Sequence, residues 1–357
     1  MVLGEFKIDM EQKKIHCEIF YFPSPHLNQI YDGFERLKEK GIISIKYSNA
    51  KGIQNKPILK VIVNEKYNVI YDTLDGFNWI DGSIEENLSY FKSNFEFDYY
   101  FKRSFNNKLL KYKKDETQIF PLGLNYEFYP NGNNYPKVFK DKIKSTILNN
   151  EFCSKLFNKQ KFIRDNFEYY PYINKQNKIL FLTRLWNPNE TKIDYIKKER
   201  IEINENRVNC IRACKKEFGN LFLGGLSSDP FSEKYAKDLI LPNNLTNRQS
   251  FINLIREHNI CISTLGLHES TGWKFAEYVA GSRAIITEPL KYDVPGNFLI
   301  QNNYLEFQNV DQLLIEIEKL IKNKELLQNM MINNYNYYNN FVKSDVLILN
   351  SLKKIEY

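Results

Sequence analysis

Nothing in this 357-residue sequence stays apolar long enough to cross a bilayer. No uninterrupted run reaches the roughly 18 residues a spanning helix needs, and mean hydropathy is −0.50. The first 14 residues are charged and have no apolar core before a small-residue cleavage site, so no secretory leader is expected. Cysteine is scarce and odd in number: Cys17, Cys153, Cys210, Cys214 and Cys261 suit reduced thiols better than a disulfide frame. Cys210 and Cys214 have helical i, i+4 spacing but no His or third Cys nearby, so no metal is expected. No period of about 20–50 residues repeats, which excludes solenoids and propellers. A clustered basic stripe is missing too. Lys and Arg total 50 against 43 acids, a surplus of 7, and the densest groups (111–114 and 197–200) are short and flanked by acids. Nucleic acid is therefore not expected as a partner. A phosphorylated small molecule or an anionic membrane surface accounts for the same surplus. These absences together imply a cytoplasmic protein.

What is present is core material. Hydrophobic residues make up 43% and aromatics 15%, too much for a disordered chain. At roughly 100–200 residues per domain, the length implies two domains. Strands are expected at 15–22, 42–47, 58–63, 67–72, 97–101 and 118–122. Between them lie a helix carrying Leu27, Ile30, Phe34 and Leu37, closed by Gly41, and a second at 84–93. A polar, Lys/Asn-rich connection follows at 136–177. The alternation then restarts, with strands at 178–183, 220–223, 260–263 and 284–287 and helices at 200–217, 248–257, 273–280 and 310–322. Helices at 325–343 and 345–354 close the chain. Strands separated by helices predict mostly parallel sheets covered on both faces, an α/β fold.

The stretch from Cys261 to Pro289 carries the most chemistry. A strand ends in a polar loop containing His268, Glu269 and Gly272, and a helix opens at Trp273-Lys274 and carries Glu277. Ligands bind at the carboxyl ends of strands in open α/β sheets. The free N–H groups of a helix N-terminus suit a phosphate. Two carboxylates beside a phosphate site make sense as acceptors for ribose and hexose hydroxyls, both of which a nucleotide sugar has.

Glu269 and Glu277, separated by seven residues around a glycine-containing turn, resemble the signature of the group 1 class of GT-B glycosyltransferases. Three further segments agree in order. Pro121-Leu122-Gly123-Leu124-Asn125 with Phe128-Tyr129-Pro130 is similar to the segment closing the N-terminal domain of that class. Residues 179–185 are similar to its first C-domain strand, ending in a basic residue, Arg184. Residues 221–225 are similar to the strand–glycine segment before its base-binding loop, and place Gly225 at the donor. Two features depart from the pattern. The turn reads Ser270-Thr271-Gly272-Trp273, where the class has two glycines around an aromatic. No clear Lys follows Arg184, so Lys192, Lys197 and Lys274 compete as the second phosphate cation, with Lys274 best placed.

The resemblance implies two Rossmann-like domains with parallel sheets facing across a cleft. Residues 1–140 would form the acceptor domain, 141–177 a connection, 178–335 the nucleotide-sugar domain, and 336–357 terminal helices packing back on the first. It implies a nucleoside-diphosphate sugar as co-substrate, no metal cofactor, and a glycan or lipid-linked acceptor. Glu269 would face the donor sugar and Glu277 the ribose, while Arg184, Lys274, His268, Gly272 and Trp273 line the donor site. Retention of configuration, surface-polysaccharide synthesis and peripheral contact with the bacterial inner membrane follow by the same analogy. In the first half, His26 and the pair Asp72/Asp75 sit at carboxyl ends of expected strands, where an inverting enzyme would need its base. Lys102-Arg103 is a second basic point on that edge. Two other readings compete. A nucleotide-sugar epimerase would carry an Asp-Ser-Gly-Gly-like turn, for which Ser263-Thr264-Leu265-Gly266 is a poor substitute. A non-catalytic sugar-nucleotide-binding partner would keep only the pocket.

Overall fold

The structure is a computed structural model that describes residues 14–50, 56–114, 116–129 and 163–355. Most of the expected connection at 141–177 lies outside the described residues, as do Cys153 and Pro130.

The first half forms a six-stranded sheet of order β2-β1-β3-β4-β5-β6. Its elements are β1 (Ile15–Tyr21), α1 (Asn28–Glu39), β2 (Ile43–Asn49), β3 (Ile58–Val63), β4 (Tyr67–Asp72), α2 (Ile84–Asn94), β5 (Tyr99–Lys102) and β6 (Gln118–Pro121). Helix α1 buries Ile30, Phe34 and Leu37 on the sheet, and α2 starts at a Ser83/Glu86 capping box. The sheet is mostly parallel, as expected, with one exception. Strand β3 runs antiparallel to both neighbours. Only three residues join it to β4, too few for a crossover. Asn64 and Glu65 both have positive φ, and Lys66 N–H donates to Val63 O at 3.1 Å, which closes a hairpin turn.

The second half forms a five-stranded sheet of order β11-β10-β9-β7-β8, with every pairing parallel. Its elements are β7 (Ile179–Thr183), α3 (Asp194–Phe218), β8 (Phe222–Leu226), α4 (Pro230–Tyr235), α5 (Asn243–Thr246), α6 (Arg248–Glu257), β9 (Ile260–Ser263), α7 (Trp273–Ala280), β10 (Ala284–Thr287), β11 (Tyr304–Glu306) and α8 (Val310–Lys322). Strands β7, β9 and β10 are buried on both faces, as parallel strands covered by helices must be. Strand order reverses between β7 and β9, which makes their carboxyl ends a topological switch point.

The chain ends with α9 (Lys324–Tyr337), a wide turn at Tyr338–Val342, and α10 (Ser344–Leu352), so the helix expected through 343 breaks at that turn. Met330 and Met331 of α9 belong to the core of the second sheet, while Leu347, Ile348 and Leu352 of α10 share a core with α1. A Cβ on Gly33 would lie 2.3 Å from Ser344 O, so only glycine allows α1 and α10 to approach this closely. No described helix is long and apolar enough to cross a membrane.

The carboxyl edges of the two sheets face each other. The loop after β1 brings the His26 ring to 4.6 Å from Trp273. The loop after β4 presses Gly76 against His268. After β5, Arg103 donates to Thr271 O and Phe105 O accepts from Asp293 N–H at 2.9 Å.

Candidate active site

The switch point gathers four cations. Arg184 leaves the end of β7 exposed, its guanidinium stacked 3.9 Å over Trp186. Arg207 rises from the buried stripe of α3 and donates to Thr264 Oγ1, Arg184 O and Leu265 O at 2.7–3.0 Å. It thereby ties the ends of β7 and β9 together, and burial lowers its pKa to about 10. Arg248 opens α6. Lys274 opens α7 and turns its amine inward, donating to Leu182 O at 2.5 Å. Burial pulls the Lys274 pKa down to about 7; Arg207, Arg248 and Arg184 push the same way, against Glu277.

Glu277 lies one turn into α7 with no exposed surface. Its Oε1 pairs with Arg248 Nη2 at 2.5 Å. Its Oε2 is buried and has no partner among the described residues. A buried carboxylate oxygen left unpaired is costly and calls for a hydroxyl or water donor. The N-terminus of α7 is capped by Gly272 with no side-chain hydrogen bond, and among the described residues nothing beyond its chain neighbours lies within 4 Å of where a Gly272 Cβ would be. That end of the helix is open to an anion.

The loop between β9 and α7 is strained. His268 and Glu269 have φ of 60° and 55°, at a cost of about 1–3 kcal/mol each. Tyr292 Oη donates to His268 O at 2.8 Å, Glu199 Oε1 accepts from Glu269 N–H at 3.0 Å, and Glu288 Oε2 accepts from Leu265 N–H at 2.8 Å. The Glu269 side chain is exposed, whereas Trp273 is half-buried and joins the core.

Across the cleft, Asp75 pairs with Arg103 at 2.5 Å and is 39% exposed. The His26 Nδ1 is buried and has no partner among the described residues. Burial lowers the His26 pKa, Asp75 opposing and Arg103 adding to the effect; His268 is lowered chiefly by burial too. Asp72 cannot share the proposed role of base. It has no exposed surface, and its carboxylate accepts from Leu74 N–H, Lys102 Nζ, Trp79 Nε1 and Tyr100 Oη at 2.5–3.1 Å. It holds the loop that carries Asp75. Gly225 is also placed differently from expectation. Strand β8 continues through it to Leu226, and a Gly225 Cβ would meet Leu239 O at 2.6 Å and Leu241 Cγ at 2.5 Å. Close packing accounts for the missing side chain there. Lys192 and Lys197 are respectively before and within α3. Among the described residues no group of three or more His, Cys, Asp or Glu could hold a metal ion.

Four of these participants escape sequence reading. Arg207 left one signal, a charge on the helix face that carries the apolar Val208, Ile211 and Cys214. Arg248, Glu199 and Tyr292 left none, because their partners are distant in sequence.

No protein-family profile and no curated protein sequence matches this chain. Among solved structures, it is similar to Anabaena HepE in complex with UDP, at 11% identity over 94% of this chain and 98% of that one, with a TM-score of 0.45. It is similar to a sucrose-phosphate synthase from Thermosynechococcus elongatus, at 10% identity over 90% and 70%, with a TM-score of 0.44. A third is Staphylococcus aureus TarM, solved with UDP, at 13% identity and a TM-score of 0.43. The match covers 77% of this chain but spans only about half, 48%, of TarM.

Proposed function

We propose that this chain is a GT-B glycosyltransferase of the group 1 class. It would move a hexose from a nucleoside-diphosphate sugar to a hydroxyl of a glycan or lipid-linked acceptor, with retention of configuration, in surface-polysaccharide synthesis. The observation that carries the reading is the Glu277 carboxylate, wholly buried at the switch point with one oxygen paired to Arg248 and the other unpaired. A ribose hydroxyl is the donor such an oxygen lacks. Arg184, Lys274 and the open N-terminus of α7 then stabilise the departing diphosphate, the main electrostatic demand of the transition state. Glu269 faces the donor sugar. The acceptor enters from the side of His26 and Asp75, at the inner face of the membrane.

A second reading is an inverting enzyme in which His26 takes the acceptor proton, favoured by its unpaired buried Nδ1 beside Asp75. Thermal stability against UDP-, GDP-, CMP- and dTDP-sugars tests the donor site. A ligand at one hundred times its Kd adds about 2.7 kcal/mol. One nucleotide class should raise the melting temperature, and Glu277→Ala should abolish the shift. No shift with any donor at several millimolar sinks the reading. For the second reading, His26→Ala should abolish transfer while leaving donor binding unchanged; transfer at wild-type rate rejects it.

A further inference from the structure

Consecutive non-glycine residues rarely sit together in left-handed backbone, because each Cβ crowds a carbonyl oxygen. His268 and Glu269 do so, with φ of 60° and 55°, as Asn64 and Glu65 do in the tight β3–β4 turn; at 268–269 no hairpin imposes that backbone, and contacts from outside the loop act on it. Two of these act on His268. Tyr292 Oη donates to its carbonyl at 2.8 Å, and Gly76 packs so close that a Cβ there would lie 2.4 Å from the His268 Cβ. The Glu269 N–H donates to Glu199 Oε1 at 3.0 Å, and the His268 N–H faces the same carboxylate.

Glu199 is an unusual residue for a structural prop. It is half-buried on α3, and its second oxygen, Oε2, is buried with no partner among the described residues. Burial, with the nearby charges of Glu269 and Glu202, raises its pKa. Neither feature favours folding. Its helix is well anchored for the purpose. Tyr195, four residues earlier and on the same face, donates to Gly82 O of the opposing unit at 3.1 Å.

We propose that Glu199 is a positioning residue for Glu269: by accepting the Glu269 N–H it locks residues 268–269 in left-handed backbone and so aims the Glu269 carboxylate into the cleft. What Glu269 then does rests on the proposed glycosyltransferase reading; how Glu199 holds it does not. A Gln at 199 keeps an oxygen that can accept this N–H, whereas Ala removes it.

Two measurements on wild-type protein, Glu199→Ala and Glu199→Gln test this, with circular dichroism confirming that each variant is folded. The first, amide hydrogen exchange at residues 268–270, needs no ligand. Exchange in the Ala variant should quicken by about tenfold or more, as expected when a protecting hydrogen bond is lost, and the Gln variant should stay near wild type. Unchanged exchange in Glu199→Ala, or equal acceleration in both variants, overturns the proposal.

The second is donor hydrolysis without acceptor, using the sugar nucleotide that stabilises the wild type, beside binding of the bare nucleoside diphosphate. A misaimed group costs up to about a hundredfold in rate. The Ala variant should therefore lose about ten- to a hundredfold in kcat, with KM and diphosphate affinity little changed, and the Gln variant should recover most of it. Equal loss of diphosphate binding in both variants would point to disturbed packing of α3 and overturn the positioning role. If wild-type protein binds no nucleotide, the glycosyltransferase reading fails, and hydrogen exchange still decides whether Glu199 holds the loop.

Discussion

Replacing Asp72 with Asn changes one oxygen to an amide nitrogen and removes one charge, at a point where every neighbour donates. The carboxylate has no exposed surface and accepts four hydrogen bonds. An amide must turn its NH2 toward either the Leu74 and Lys102 pair or the Trp79 and Tyr100 pair. The larger loss is electrostatic. Lys102 Nζ lies 3.1 Å from Asp72 Oδ1, and neither side chain is exposed. At an effective dielectric constant of about 20, that attraction is on the order of 5 kcal/mol. Breaking a buried pair from one side typically costs about 3–5 kcal/mol, since the surviving charge stays buried and unpaired. Burial already lowers the Lys102 pKa, and Asp72 is the main influence opposing it. The assay is thermal unfolding followed by tryptophan fluorescence, to which Trp79 contributes together with Trp186 and Trp273; the Trp79 indole contacts the substituted group. Melting should fall by roughly 6–20 °C at about 2–4 °C per kcal/mol. Adding Lys102→Met should restore more than half of the loss, because the unpaired charge is gone. An Asp72→Asn protein that melts within 2 °C of wild type, at about that conversion, refutes the reasoning. So does a double variant weaker than the single one.

Lys274 sets a pH dependence. Its pKa is about 7 in the folded protein, against about 10.4 in an unfolded chain. Between these values the unfolded chain holds more protons, so this group makes stability rise from pH 7 toward 10. A bound diphosphate favours the charged amine, so calorimetric affinity for a nucleoside diphosphate should be full below pH 7. It should weaken by up to about tenfold per unit above pH 7, and this slope should vanish in Lys274→Met. Gly33→Ala should lower stability by about 1–3 kcal/mol in chemical denaturation, since the new methyl would sit 2.3 Å from Ser344 O and 2.5 Å from Ile348 Cγ1. A neutral result would mean that α10 shifts freely on α1.

Local signals carried the element boundaries a long way. Helix α6 spans Arg248–Glu257 as its sequence implied, because Asn247 accepts from Ser250 N–H at 3.0 Å and declares the start. Helix α7 lies between Gly272 and Gly281, and the apolar run Ile260–Ser263 is a buried strand. The placement of residues 265–277 on one loop and one helix start was legible for the same reason. They share one loop and one helix, so a single stretch of chain places them.

Strand direction, by contrast, was decided by pairing. Ile58–Val63 is apolar enough for either orientation, and only the short turn to β4 reverses it. Gly224 and Gly225 read as a strand end but are interior, since Phe222 and Leu239–Leu241 fill the space their side chains would need.

The sequence by itself determined the alternation of strand and helix, the division into two sheet-forming halves, and the grouping of Glu269, Gly272, Lys274 and Glu277 around one helix start. These depend on periodicity, caps and turn residues, which act over a few positions. Tertiary structure alone decided which of the charges matter. Arg248 meets Glu277 across 29 residues and Glu199 meets the Glu269 backbone across 70, while Arg103 reaches Thr271 across 168. An ion pair or hydrogen bond is set by distance and burial in three dimensions. No local pattern in the chain records either until both sheets are folded and their carboxyl edges have met.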